Sequence, residues 1–267
     1  MSKIRCINEY ASLTKVLVSD PRFLIEPQSM TVSIDIAIKE HHHFVSTLKD
    51  YGVEVVSIPP AKQFPEQVFT RDTGFVLGDT LFIANVQNYI RQGEEEYLRG
   101  QLEKISLPYQ TIPQGKIEGG DVIVDGDTVF VGISNRTNRE AANQLQSLLP
   151  NFNVVEVPFS DAYLHLDCIF NILSPNEAII YPEEIHGEKI ELLKKRYDLI
   201  SVSKEEQATL ATNVLSLGNK MVISLPVNKE LNKELRRRGY EIIEVDFTEM
   251  IKFGGAFRCC TLPILRT

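Results

Sequence analysis

Asp121-Val122-Ile123-Val124-Asp125-Gly126-Asp127-Thr128-Val129-Phe130-Val131-Gly132-Ile133 sets two β-prone runs on either side of Asp-Gly. β-Branched and aromatic residues suit a pleated strand, and Asp-Gly supplies the positive φ that a tight hairpin turn demands. The signature recurs at residues 74–86 around Gly78-Asp79, at 168–181 around Ser174-Pro175-Asn176, and at 212–225 around Gly218-Asn219. After each hairpin, apolar residues fall at three- and four-residue steps, over residues 94–105, 136–149, 183–196 and 228–238. A short β-prone run closes each unit, at 109–112, 154–157, 199–202 and 242–245. Strand, strand, helix, strand thus repeats at roughly 45 residues, a period that points to propellers or arrays.

A fifth unit is split between the two ends. Residues 259–265 supply one strand and 15–19 its partner, followed by a helix over 34–48 and a strand over 53–57. Joining both ends in one blade leaves few open sheet edges. The expectation is a single α/β domain over residues 1–267, a five-bladed α/β propeller with pseudo-fivefold repeats. The poorly patterned loop over 20–30 is either a plain connector or a lid.

Composition sets limits on partners. Hydrophobic content of 43% and charged content of 24% are those of an ordinary globular chain. The net charge of −8 argues against nucleic acid as main partner. The basic triplet Arg236-Arg237-Arg238 precedes Gly239, where cations suit a helix C-terminus. Four cysteines, two of them adjacent, make no disulfide framework in a chain of 267 residues, which fits a reducing, cytoplasmic setting. No apolar h-region opens the chain and no run is long enough to span a membrane, so neither secretion nor membrane insertion is expected. Self-association into a homo-oligomer is compatible with the sequence.

Ionisable residues stand just before the hairpins. Asp72 precedes the first, Glu118 of Glu118-Gly119-Gly120-Asp121 the second, His165 and Asp167 the third, and Cys259 opens the fifth. The fourth, with Thr212-Asn213, offers nothing ionisable. In a propeller these positions gather at one end of the axis. On an extended segment His165 and Asp167 share a face, as do Cys259 and Thr261, whereas Cys260 and Cys168 point the other way, into the core. Crowded carboxylates repel unless a cation joins them, and a planar guanidinium meets carboxylates bidentately. Asp72 and Asp167 would grip its nitrogens and present its carbon to the Cys259 thiolate. His165 would protonate the departing amine and then activate water, with Glu118 orienting it.

Phe69-Thr70-Arg71-Asp72, Glu118-Gly119-Gly120-Asp121, His165-Leu166-Asp167 and Gly254-Gly255, followed by Arg258-Cys259-x-Thr261-x-Pro263, resemble the guanidino-group-modifying superfamily. It comprises arginine deiminases, dimethylarginine dimethylaminohydrolases and amidinotransferases. The resemblance spans nearly the whole chain and implies a five-bladed α/β propeller that works on a small guanidino compound without metal or cofactor. Arg91-Gln92-Gly93-Glu94 and residues 126–138 are similar to the dimethylaminohydrolases, although proline usually stands where Gln92 does. By that likeness Arg91 and Arg136 hold a substrate α-carboxylate, Glu66 contacts substrate and Phe69 lines the guanidino slot. Asp167 departs from the dimethylaminohydrolase pattern and matches deiminases and amidinotransferases. A second carboxylate suits an unsubstituted nitrogen with hydrogens to donate. The chain nonetheless lacks room for the extra helical domain typical of arginine deiminases.

Three functions follow: a hydrolase releasing an amine or ammonia and a ureido product, an amidinotransferase using the same thioether, or a non-catalytic propeller that binds a macromolecule. His41-His42-His43 is expected to be solvated helix surface, since consecutive helical residues diverge too far to share one metal ion. Arg136 is expected to open a helix.

Overall fold

The computed structural model describes residues 3–27 and 31–267. In chain order the strands and helices begin with β1 (Leu13–Ser19), α1 (Ile34–Asp50) and β2 (Glu54–Ile58). Then come β3 (Gly74–Leu77), β4 (Thr80–Ile83), α2 (Glu94–Lys104) and the two-residue β5 (Gln110–Thr111). The next blade holds β6 (Val122–Asp125), β7 (Thr128–Ile133), α3 (Arg139–Leu148) and β8 (Asn153–Pro158). It is followed by β9 (Phe170–Ser174), β10 (Glu177–Ile180), α4 (Gly187–Arg196) and β11 (Asp198–Ser201). After the short α5 (Lys204–Gln207) run β12 (Leu215–Gly218), β13 (Met221–Ser224), α6 (Lys229–Arg237), β14 (Glu241–Glu244) and β15 (Leu262–Arg266).

These strands make five three-stranded sheets. In four of them an antiparallel hairpin is extended by a parallel strand that returns after the helix: β3-β4-β5, β6-β7-β8, β9-β10-β11 and β12-β13-β14. In the fifth, β1 pairs antiparallel with β15 and parallel with β2, so the expected split blade is present. Strands β3, β6, β9, β12 and β15 are nearly continuously buried and apolar, whereas β2 and β14 are half exposed and β5 is exposed throughout. Residues buried on both faces form the inner wall of the ring. At the β6-β7 turn, Gly126 takes the positive φ of 66° that its hairpin requires. The pseudo-fivefold α/β propeller expected from the repeats is the fold observed.

The segments before the inner strands differ from expectation. They are tight 3-10 turns, not extended chain: Thr70–Thr73, Gly119–Asp121, Leu166–Cys168 and Ala211–Asn213. Residues 257–260 also form a turn, so Cys259 and Cys260 precede β15 instead of opening it. In such a turn side chains three apart eclipse one another, which rewrites the expected alternation of faces. Two further corrections concern helices. Arg136 sits in a turn ahead of α3, whose N-cap is Asn138. His41 is buried, with neither ring nitrogen hydrogen-bonded, and burial lowers its pKa to about 4. Only His42 and His43 of that triplet are exposed. The arginine triplet does end α6, ahead of Gly239. Of the loop over 20–30, residues 28–30 lie outside the described residues.

Candidate active site

The turn carrying Cys259 is held from several sides. The Cys260 amide donates to the Ala256 carbonyl at 3.1 Å, and the Thr261 hydroxyl donates to the Phe257 carbonyl at 3.1 Å. Asn213, at the corresponding place in the fourth blade, accepts from the amides of Arg258 (3.1 Å) and Cys259 (3.4 Å) through Oδ1. Its Nδ2 donates to the Asp167 carbonyl at 3.1 Å, so one amide ties the third blade to the fifth. A Cβ on Gly255 would stand 2.6 Å from the Phe69 ring and 2.9 Å from the Cys259 Cβ. Only glycine lets this turn press so closely on Phe69.

His165 faces Cys259 across the same cavity. Its Nε2 lies 2.6 Å from Glu118 Oε2, and its Nδ1 lies 3.4 Å from Asp72 Oδ1. Burial alone would favour the neutral ring, but Asp72, Glu118 and Asp121 together outweigh it and raise its pKa well above the usual value. Burial likewise opposes ionisation of Glu118, and the hydrogen bond from His165 overrides it and lowers that carboxyl. The pair is therefore imidazolium and carboxylate. Glu118 Oε1 also accepts from the Gln87 amide at 2.9 Å. Asp121 supports the ring indirectly: it accepts from the Thr137 hydroxyl at 2.6 Å and from the Leu166 amide at 2.8 Å. Burial raises Asp121 to about 7.

The cavity has a volume of about 220 Å³ and is walled by Glu66, Phe69, Asp72, Arg91, Arg136, His165 and Cys259, with Leu164, Phe253 and Gly254 at its sides. Asp72 Oδ1 is buried and accepts no hydrogen bond. Its other oxygen is bound by Arg91. Arg91 is itself buried and fully engaged: it donates to Glu94 at 2.8 Å and to the Phe69 carbonyl at 3.1 Å, with Glu66 at 3.8 Å. Its guanidinium is thus committed to the protein's own acceptors. Arg136, partly exposed, lies 3.6 Å from Glu118 and is the less encumbered of the two arginines.

Asp167 is fully buried behind the cysteine, 3.5 Å from the Arg258 guanidinium, and its Oδ2 has no hydrogen-bond partner. Cys168 does not point away, as an extended strand would have it. Its Sγ, the Cys259 Sγ and an Asp167 oxygen all lie within 4.8 Å of one another. The 3-10 turn is the reason, since it rotates Cys168 back to the side of His165. Asp72, Glu118 and His165 form a second group with ligand atoms inside 4.8 Å. Both sets have donor types that can bind a metal ion, although the second is already paired internally.

Beneath the site lie buried charges that no motif announces. Glu9 is buried between Arg71 (3.3 Å) and Arg258 (3.1 Å). Burial would raise its pKa, but Arg258, Arg71 and Arg266 pull it down to about 2. Arg71 also caps the Gly119 and Val122 carbonyls, and Arg266 the Ala11 and Ser216 carbonyls. Glu9 precedes every repeat and so carried no positional signal. Asn213 does occupy the repeated position but bears no charge to mark it.

A five-bladed ring with a thiol, an imidazolium–carboxylate pair and a buried carboxylate oxygen that accepts no hydrogen bond around one cavity is a guanidino-modifying propeller of the pentein class. A sequence profile of the family described as N,N dimethylarginine dimethylhydrolase, eukaryotic, matches residues 24–266, and the chain belongs to that family. An uncharacterized protein of Bacillus subtilis, YkgA, is 44% identical over 99% of this chain and 96% of its own length. The N(G),N(G)-dimethylarginine dimethylaminohydrolase of Pseudomonas aeruginosa is 26% identical over 85% of this chain and 87% of its own. Among solved structures, the substrate-bound N-terminal domain of ArgZ, a cyanobacterial arginine dihydrolase, aligns with a TM-score of 0.86 at 25% identity. That alignment covers 94% of this chain and 98% of the other. Among the described residues no helix is long and apolar enough to cross a membrane.

Proposed function

We propose that this protein hydrolyses a C–N bond of a small guanidino compound, arginine or a methylated arginine, through a covalent amidino-thioether on Cys259. The carrying observation is the single cavity that brings together Cys259, His165 and Asp72, whose Oδ1 accepts no hydrogen bond. A guanidinium N–H fills that acceptor at little desolvation cost, because Asp72 is already out of water.

The Cys259 thiolate attacks the guanidinium carbon, and the imidazolium of His165 gives its proton to the leaving nitrogen. The ring, now neutral, takes a proton from water as it attacks the thioether, and the thiol leaves with a ureido product. Glu118 stabilises the protonated ring at the start and restores it at the end. General acid–base assistance of this kind contributes about 10²–10⁴-fold. Arg91 fixes Asp72, while Arg136 at the cavity wall receives a substrate carboxylate. Glu66 and Phe69 shape the entrance. Asp167 stands behind the sulfur, 3.5 Å from the Arg258 guanidinium, and does not line the cavity, so the grip on substrate nitrogen falls to Asp72.

Incubation with arginine, mono- and dimethylated arginines and agmatine, followed by an assay for ureido groups, tests the reading. A Cys259 adduct of amidino mass on acid quench is expected with the turned-over substrate. A folded protein silent across the panel would overturn it. Formation of a new guanidine from an added acceptor amine would assign amidino transfer instead.

A further inference from the structure

The mechanism above uses one sulfur, yet two stand at the site. All four cysteines are free and buried; Cys6 lies in a separate core cluster, whereas Cys260 follows Cys259 in the same one but lines neither cavity described here. The sulfurs of Cys168 and Cys259, from different blades, lie inside 4.8 Å of each other. Their backbones cannot drift apart easily, because Asn213 binds the Cys259 amide and the Asp167 carbonyl with the same side chain. Each sulfur also borders a different cavity. Cys259 lines the one of about 220 Å³ described above. Cys168 lines a second of about 430 Å³, with Tyr163, Tyr181 and Gln207, and Leu164 and Gly254 form the partition between them. Nothing in the proposed hydrolysis explains a thiol at position 168.

We propose that Cys168 and Cys259 are a redox pair, in which oxidation of Cys259 by a hydroperoxide is captured as a Cys168–Cys259 disulfide that switches the site off reversibly. This goes beyond the proposed hydrolysis and needs no substrate to be observed. In the first step the Cys259 thiolate attacks one peroxide oxygen, the O–O bond breaks, and hydroxide or alkoxide leaves. Sulfur has then lost two electrons and is a sulfenic acid. In the second step the Cys168 sulfur attacks the Cys259 sulfur, the S–O bond breaks, and the oxygen leaves as water with the Cys168 proton.

The order of events follows from the surroundings. Cys168 is a poor nucleophile at rest: the adjoining Cys259 sulfur, burial and Asp167 all raise its pKa, and its thiol donates to Asp167 Oδ1 at 3.7 Å. Conversion of Cys259 to a neutral sulfenic acid lessens the first of these and sets an electrophilic sulfur within 4.8 Å of the second thiol. Closing the bond requires the sulfurs to approach to about 2 Å by side-chain rotation. That draws the Cys259 sulfur away from the guanidino cavity and abolishes attack.

The test is to treat the protein with a small excess of hydrogen peroxide, alkylate the remaining thiols, digest without reductant and fragment the cysteine peptides. The expected product is a peptide from the third blade joined to the C-terminal peptide through Cys168 and Cys259, with Cys6 and Cys260 alkylated, and complete reversal by dithiothreitol. In C168S and C168A the same treatment should carry Cys259 to sulfinic acid, which dithiothreitol does not restore. A Cys259–Cys260 bond in the parent, or sulfinic Cys259 beside a free Cys168 thiol, would overturn the proposal. Equal recovery of C168S, C168A and parent would do so too. Because every readout is a thiol state, failure here is distinct from failure to turn over guanidino compounds.

Discussion

Gly120→Ala probes how tightly the imidazole is held. A Cβ at this position would lie 2.7 Å from the His165 Cγ, 2.8 Å from its Cβ and 2.9 Å from its Nδ1. The ring must retreat by roughly 1 Å to reach ordinary van der Waals separation. It cannot do so and keep the 2.6 Å contact of Nε2 with Glu118. Overpacking of this kind costs about 1–3 kcal/mol of stability. The effect on rate is larger, because a displacement of about 1 Å in a reacting group costs on the order of 10²-fold. Gly120→Ala is therefore expected to lower kcat by about 10²-fold while the protein stays folded. Thermal unfolding and ureido formation are measured side by side, with Gly100→Ala as control. Gly100 lies in α2 with nothing within 4 Å of its built Cβ, so alanine there should stabilise the helix by about 0.5–1 kcal/mol and leave kcat alone. If Gly120→Ala kept a kcat within about threefold of the parent at unchanged Tm, the close packing of His165 would not matter for the reaction.

Other consequences are as direct. Glu118→Gln removes the carboxylate hydrogen-bonded to the His165 ring, one of the groups that raise its pKa. Activity that needs the protonated ring should then fail at lower pH, with the alkaline limb of kcat moving down by about one unit or more; an unmoved limb would exclude His165 as the acid. Asp121 is protonated more readily in the folded chain, at about 7, than its usual value of 3.8. The folded state thus holds a proton that the unfolded state releases, and stability declines as pH rises from about 4 to about 7. Asp121→Asn should flatten the dependence of Tm on pH over that window, and an unchanged slope would refute the burial effect. Asn213→Ala leaves the buried amides of Arg258 and Cys259 without their acceptor, which costs about 1–3 kcal/mol for each group stranded. Alkylation of Cys259 should become faster as its turn loosens; an unaltered rate and Tm would show that Asn213 is dispensable.

The repeat was legible because β-prone runs around Gly-Asp, Asp-Gly and Gly-Asn have a clear period, and the helices that follow have another. Blade order and the split fifth blade followed from that pattern alone. The turns at Leu166–Cys168 and at residues 257–260 did not, since three or four residues are too short to show any period. That brevity is why strand alternation points Cys168 to the wrong side. Cys259, His165, Glu118 and Asp72 were found because charge recurred at one phase of the repeat. Glu9 lies outside the repeat and Asn213 is neutral, so both emerged only from contacts. The engagement of Arg91 by Asp72 and Glu94 was also invisible, because Glu94 comes into reach only when the turn before α2 folds.

The split blade sets a timetable for synthesis. Each inner hairpin pairs strands a few residues apart and can form soon after its chain leaves the ribosome. The seam between β1 and β15 instead joins partners such as Thr14 and Leu265, which are 251 positions apart. Loop closure over that distance is slow, and it must wait until the last strand of the ring has been translated. Cys259 sits immediately ahead of that strand. A nascent chain with four finished blades would therefore have its carboxylates, histidine and Cys168 in place but not Cys259, and the attacking thiol would arrive only with the step that shuts the ring.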